Sequence, residues 1–169
     1  MQLENLPGVQ SVLTILDAPI FFQPKVPLAD LMDNLKTLET EDINFAAAKE
    51  EIISNPVYSE LIISLSGDTT AMQVNLEENL LYRELINERY ELLGFTNLSL
   101  NQKNELNNIN KQISQLNDDE AKQRAHLIAQ IRLLLEQYSN EGTLFLGGAS
   151  MIATDMMSFI KSDLLIFGI

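Results

Sequence analysis

Cysteine is missing from this chain of 169 residues, and histidine occurs once. The first absence excludes disulfides, thiol nucleophiles and zinc–thiolate sites. It does not indicate a compartment, because a cysteine-free chain suits the cytosol and the periplasm alike. Positive charge is scarce: 11 Lys and Arg stand against 24 Asp and Glu, a formal net charge of −13. Such a chain repels phosphate backbones and anionic lipid heads, which argues against nucleic acid as a partner. Glycine and proline are nearly absent between residues 77 and 140, so little there would interrupt a helix. The G-x-G-x-x-G and lysine-bearing phosphate-loop patterns are missing, as is the G-x-S-x-G nucleophile elbow. Met1-Gln-Leu-Glu has neither a basic start nor an apolar run, so no signal peptide is visible. Taken alone, that points to the cytosol. If the chain is a piece of a membrane protein, a targeting helix lies upstream, and Leu3-Glu-Asn-Leu6-Pro-Gly reads as the tail of a helix.

What is present is apolar. Hydrophobic residues make up 46% of the sequence, enough for one folded domain over residues 1–169 with a core of its own. From Pro7-Gly8 the pattern predicts a strand, Val9 to Leu16, apolar on both faces and ended by Asp17-Ala-Pro19. Ile20 to Pro27 reads as a packed connector, and Pro27 to Leu38 as a short helix with Leu28, Leu31, Met32 and Leu35 on one stripe. Asp42 is an expected N-cap for a helix over Ile43 to Ser54, with Phe45, Ala48 and Ile52 inward and Asn55-Pro56 as its stop. Glu60 to Leu65 and Thr69 to Leu76 read as two strands about a Gly67-Asp68 turn.

The middle, residues 77–140, reads as a helical insertion. A first helix ends near Leu93 at Gly94. A second starts at Ser99 and carries Leu106, Ile109, Ile113 and Leu116 at alternating three and four spacing, the pattern of a coiled-coil seam. Asn117-Asp118-Asp119 is expected to form a tip, and a third helix to about Tyr138 places Ala121, Ala125, Ile128, Ile131, Leu135 and Tyr138 on one side. Helices two and three then form an antiparallel hairpin projecting from the body. Thr143 to Leu146 has strand character, Gly147-Gly148 breaks it, and Ala149 to Ser162 is helical by its apolar spacing. Leu164 to Ile169 is wholly apolar. It reads either as a buried core element or as the first turns of a transmembrane helix, which needs roughly 20 apolar residues. The order of elements predicts an α+β fold.

The C-terminal stretch carries a resemblance. Gly147, Gly148, Met151, Ile152, Ala153, Asp155, Met156, Phe159, Ile160, Ser162, Asp163, Leu164, Phe167 and Gly168 form a pattern similar to the segment leading into the second transmembrane helix of resistance–nodulation–division (RND) exporters. The nearest branch is that of the mycobacterial-large-membrane-protein type and the hopanoid transporters. Pro7-Gly-Val-Gln-Ser-Val12 with Leu16-Asp-Ala-Pro19, and Asn55-Pro-Val-Tyr58 with Leu61-Ile-Ile-Ser64 and Thr69-Thr-Ala-Met72, resemble the same family. The resemblance implies a soluble extracytoplasmic loop between the first and second transmembrane helices, on the periplasmic side of a bacterial inner membrane. It implies a ferredoxin-like porter-type sheet with packed helices, lacking a first strand and helix that lie upstream. Residues 163–169 would begin a truncated transmembrane helix. The function implied is part of a path for hydrophobic or amphipathic substrates in a proton-driven efflux transporter. The implied partners are the remaining transmembrane and periplasmic parts of that transporter, a transporter oligomer or accessory protein, and the substrate itself. The proton-relay carboxylates of such transporters lie in transmembrane helices, outside this chain. The alternative is a helical-hairpin adaptor or protein-interaction domain without a transport role.

The candidate sites each have a plain structural reading. His126, with Gln123, Arg124 and Gln130 around it, reads as part of a solvated helix face. Asp118-Asp119-Glu120 lacks a calcium loop and reads as a cap with first-turn acids, and Glu39 to Asp42 as a solvated approach to a helix. Gly147-Gly148 could cradle an anion at a helix start, but reads as a packing turn. Ser66 and Ser150 have no nearby histidine, and Tyr82 and Tyr90 with Arg83 and Arg89 suit an amphipathic helix. No catalytic, cofactor-binding or metal-ligating residue is assigned, and the expectation is a protein that is not an enzyme.

Overall fold

The computed structural model describes residues 2–21 and 35–168. The chain divides into two units, Met1–Asn5 with Val9–Leu76, and Leu6–Gly8 with Glu77–Ile169. Among the described residues the fold is mixed α+β, with four α-helices and a two-stranded antiparallel sheet.

In the first unit, β1 (Val9–Leu13) pairs with β2 (Gln73–Leu76) in antiparallel register, Val12 opposite Val74 and Leu13 opposite Gln73, with an irregularity between Val9 and Ser11. The polar positions also pair, since Asn75 Nδ2 donates to Ser11 Oγ at 2.9 Å. β1 ends where Thr14 starts a 3₁₀ turn, Ile15–Asp17. The Thr14 hydroxyl accepts from the Leu16 N–H at 3.1 Å while Asp17 accepts from the Thr14 N–H at 2.7 Å, so two otherwise orphaned donors are satisfied reciprocally. α1 (Phe45–Ser54) buries Ala48 and Ile52 as its spacing predicts, but Phe45 is exposed. Its N-cap is Asn44, not Asp42, because Asp42 sits at φ 63 in the left-handed region, whereas an N-cap needs extended backbone. The predicted turn at Gly67-Asp68 is present: the Ser64 N–H reaches the Thr69 carbonyl at 2.9 Å, and Gly67 supplies the positive φ of 69. The two flanking runs make only isolated bridges there, and the regular strand is confined to β2. The expected helix from Pro27 lies largely outside the described residues. Its described end, Leu35 to Leu38, is not helical, and Lys36 instead bridges Ile20.

A two-stranded ribbon is marginal alone, and the described sheet is no larger than that. The strand expected at Thr143–Leu146 is absent. A strand needs a ladder partner, none pairs with this run among the described residues, and Phe145 is 90% exposed.

The second unit is helical: α2 (Leu80–Leu93), α3 (Leu100–Gln137) and α4 (Ala149–Phe167). α2 is capped by Asn79, whose side chain accepts from the Tyr82 N–H, and closes at Gly94. α3 begins at a capping box in which Ser99 and Gln102 satisfy each other's backbone N–H groups. It then continues for 38 residues, about 57 Å at 1.5 Å per residue. The predicted tip at Asn117-Asp118-Asp119 is therefore a correction: these residues lie inside one helix. No glycine or proline interrupts them. Lys122 pairs with Asp119 at 3.1 Å and Arg124 with Glu120 at 3.0 Å, the neighbour spacing that supports a helix through this stretch.

The partner of the seam changes accordingly. Ile109 and Ile113 form a buried cluster with Leu85 and Leu92 of α2, flanked by Tyr82, Ile86, Leu106 and Leu116. The seam does not close on Ala125, Ile128, Ile131 and Leu135, which lie further along the same rigid helix. The helices that pack in opposite directions are α2 and α3, joined by residues 94–99. α4 follows a loop of residues 138–148 and extends past Ser162 to Phe167.

Candidate functional site

α2 and α3 share one shallow groove of about 310 Å³ beyond their apolar cluster. Tyr82 and Ile86 form part of its lining, with Glu77, Asn79, Arg83 and Arg124 around them. Both guanidiniums are committed to neighbours: Arg83 Nη1 meets Glu78 at 3.0 and 3.1 Å, and Arg124 meets Glu120 at 3.0 Å. Exposed pairs of this kind are worth about 0–1 kcal/mol and are screened by salt. Its three glutamates, Glu77, Glu78 and Glu120, outnumber its two arginines, so the groove is net acidic with two of its acids paired. It can offer a polar contact beside an aromatic ring, that of Tyr82.

The other candidates belong to different elements. His126 is exposed on α3. Ser66 is engaged in a turn network, donating to Asp68 Oδ1 at 2.8 Å, where Ser64 and Thr69 also donate at 2.9 and 3.0 Å. Those hydroxyls, Ser66 first, hold the Asp68 carboxyl below the usual value. Ser150 is half-buried at the start of α4. Glu39 to Asp42 lies in a turn before α1. Tyr90 is exposed, and Arg89 is half-buried with its Nε enclosed and without a hydrogen-bond partner. Gly148 occupies the N-cap position of α4 at φ 111 and offers no side-chain cap. Among the described residues no group of three or more His, Asp or Glu is arranged to hold a metal.

Among the described residues one acid is buried, at a position that the sequence pattern does not mark. Glu51 is 8% exposed, on the same face of α1 as Ala48 and Ile52. It accepts a hydrogen bond from the Phe21 N–H at 2.6 Å. Nearby in effect is Tyr58, whose hydroxyl donates to the Pro19 carbonyl at 3.0 Å. Burial first, and the Glu51 charge second, push the Tyr58 phenol above its usual value. A glutamate among helix-forming residues carries no sign of burial in its own letter.

α4 exposes apolar side chains along most of its length. It buries no side chain, and Ile152, Met156, Phe159, Leu164, Leu165 and Phe167 are all exposed. The residues that resemble the RND segment fall on this helix and its flanks: Gly147 and Gly148 precede it, Met151 to Phe167 lie along it, and Gly168 caps it. Leu164 to Phe167 are its last turn, not a strand. Asp155, Lys161 and Asp163 interrupt its apolar surface, and among the described residues no helix is long and apolar enough to cross a membrane. Comparison with protein-family models, with curated proteins and with solved structures finds no match.

Proposed function

We propose that this chain is a soluble extracytoplasmic domain of a proton-driven RND-type efflux transporter, forming part of the path for hydrophobic or amphipathic substrates on the periplasmic side of a bacterial inner membrane. The observation that carries the reading is α4. The stretch that resembles the approach to the second transmembrane helix folds as a helix whose apolar residues are exposed along its length. A helix apolar on several sides calls for apolar surroundings, and the membrane would supply them. In this reading β1 and β2 belong to a ferredoxin-like porter sheet completed by an upstream strand and helix, residues 163–169 lead into lipid, and the partners are the remaining parts of the transporter and its oligomer or accessory protein. The domain does no chemistry itself.

The test is made on the whole gene product in its own host. The expected result is a membrane-embedded protein whose loss increases retention of an apolar fluorescent dye, with the difference abolished by a protonophore. A product found only in the soluble fraction, with dye retention unchanged, would overturn the reading. The adaptor reading would then lead. It draws support from the turn between α2 and α3, where Leu93, Phe95 and Leu100 are exposed together.

A further inference from the structure

α4 packs against α3, and its half-buried residues all fall in its first two turns. Ser150, Met151, Thr154 and Asp155 are half-buried, and every residue from Met156 to Gly168 is exposed. The apolar part of this contact on the α4 side is small, with no α4 residue buried. Thr154 turns its hydroxyl back onto its own helix, donating to the Ser150 carbonyl at 2.9 Å. Among the described residues, Asp155 is the one α4 side chain hydrogen-bonded to another element: Arg132 Nη2 reaches its two carboxylate oxygens at 2.9 and 2.8 Å. Both side chains remain partly open to water, at 45% and 32% exposure for Arg132 and Asp155.

From this arrangement we propose that the Arg132–Asp155 pair is a releasable clamp that decides whether α4 lies against α3. The docked position rests on a narrow contact and one charge pair. A partly exposed pair is weak enough to be opened by salt or by a competing charge. Opening it leaves α3 intact, because the α2–α3 cluster of Leu85, Leu92, Ile109 and Ile113 does not include α4. The exposed apolar half of α4, Met156 to Phe167, then reorients as one helical piece about the loop at Gly147-Gly148. This holds whichever functional reading is correct, since it concerns α3 and α4 only.

The chain lacks cysteine, so two spin labels can be placed without background, at Ala125→Cys on α3 and Ser158→Cys on α4, both exposed positions. With Arg132 and Asp155 present, the distance distribution should show one dominant peak. Asp155→Asn should raise the population of other distances about three- to fivefold, the effect of losing a partly exposed pair, and high salt should act in the same direction. The charge-swapped double variant, Arg132→Asp with Asp155→Arg, should restore the dominant peak. Far-ultraviolet dichroism, unchanged across the set, confirms folded helices; if Asp155→Asn unfolds, Arg132→Lys, which keeps the charge but shortens its reach, takes its place. Identical distributions in all variants and at all salt concentrations would overturn the proposal, as would failure of the swap to restore the peak.

Discussion

Glu51 Oε1 accepts a 2.6 Å hydrogen bond from the Phe21 backbone N–H, tying α1 to a residue that lies 30 positions earlier. The contact joins a buried carboxylate to a main-chain donor, and the bond offsets part of what their desolvation costs. Replacing Glu51 by Leu should cost about 1–3 kcal/mol, because the Phe21 N–H loses its acceptor at a part-buried position. Glu51→Gln keeps an acceptor oxygen and should cost less. Urea unfolding followed by tyrosine fluorescence measures both. Equal midpoints for Leu and Gln variants would show that packing, not the hydrogen bond, matters here.

The continuity of α3 is tested by proline. Asp118 lies in the middle of the helix, so Asp118→Pro should remove a backbone hydrogen bond and clash with the preceding turn, at about 3 kcal/mol or more. At a hairpin tip the same change would be tolerated. Ile113→Asp is the companion experiment. It places an unpaired charge against Leu85 and Leu92, costing several kcal/mol, roughly, and should detach α2 from α3 while the β1–β2 pairing persists.

Stability should fall at both ends of the pH scale for different reasons. Asp17 is held below the usual carboxyl value by the Thr14 backbone N–H first and the Thr14 hydroxyl second, and Asp68 by the hydroxyls of Ser66, Ser64 and Thr69. A depressed folded pKa contributes stability that is complete above the unfolded value, about pH 4, and is lost as pH falls through the folded one. Tyr58 has the opposite sign. Its raised phenol contributes stability that is complete below about pH 10 and lost as pH rises through the folded value. Asp68→Asn should flatten part of the acid arm of a urea-midpoint profile, and Tyr58→Phe part of the alkaline arm. Phenolate absorbance should show one tyrosine ionising later than the others.

Self-association should run through the end of α4. Leu164, Leu165, Ile166 and Phe167 are exposed, and a patch on the order of several hundred Å² is enough to make a surface sticky. A chain ending at Ser162 should keep its helical content and sediment as a smaller species. Unfolding of that shortened chain would show that the last turns of α4 belong to the core.

Local signals in the sequence decided much of the fold. Asn55 ends α1, Gly94 ends α2 and Ser99 starts α3, because caps and breakers act within one turn of the residues that carry them. The Gly67 turn and the seam of Ile109 and Ile113 were legible for the same reason: their physics spans four residues or fewer. The charge of −13 and the absence of cysteine likewise need no fold to exclude the chemistry they exclude.

Only tertiary structure decided what those elements face. The Asn117 to Asp119 stretch has turn-like letters, yet helical ion pairs and the lack of a breaker carry α3 straight through it. Thr143 to Leu146 has strand letters and no ladder to join among the described residues, because a strand exists only with a partner. Glu51 is buried and Phe45 exposed, against the ordinary preference of each side chain: periodicity gives the face of Ala48 and Ile52, but where α1 lands decides which flanking positions are covered. The Arg132–Asp155 pair spans 23 positions, a separation at which nothing in the order of residues says which charges will meet.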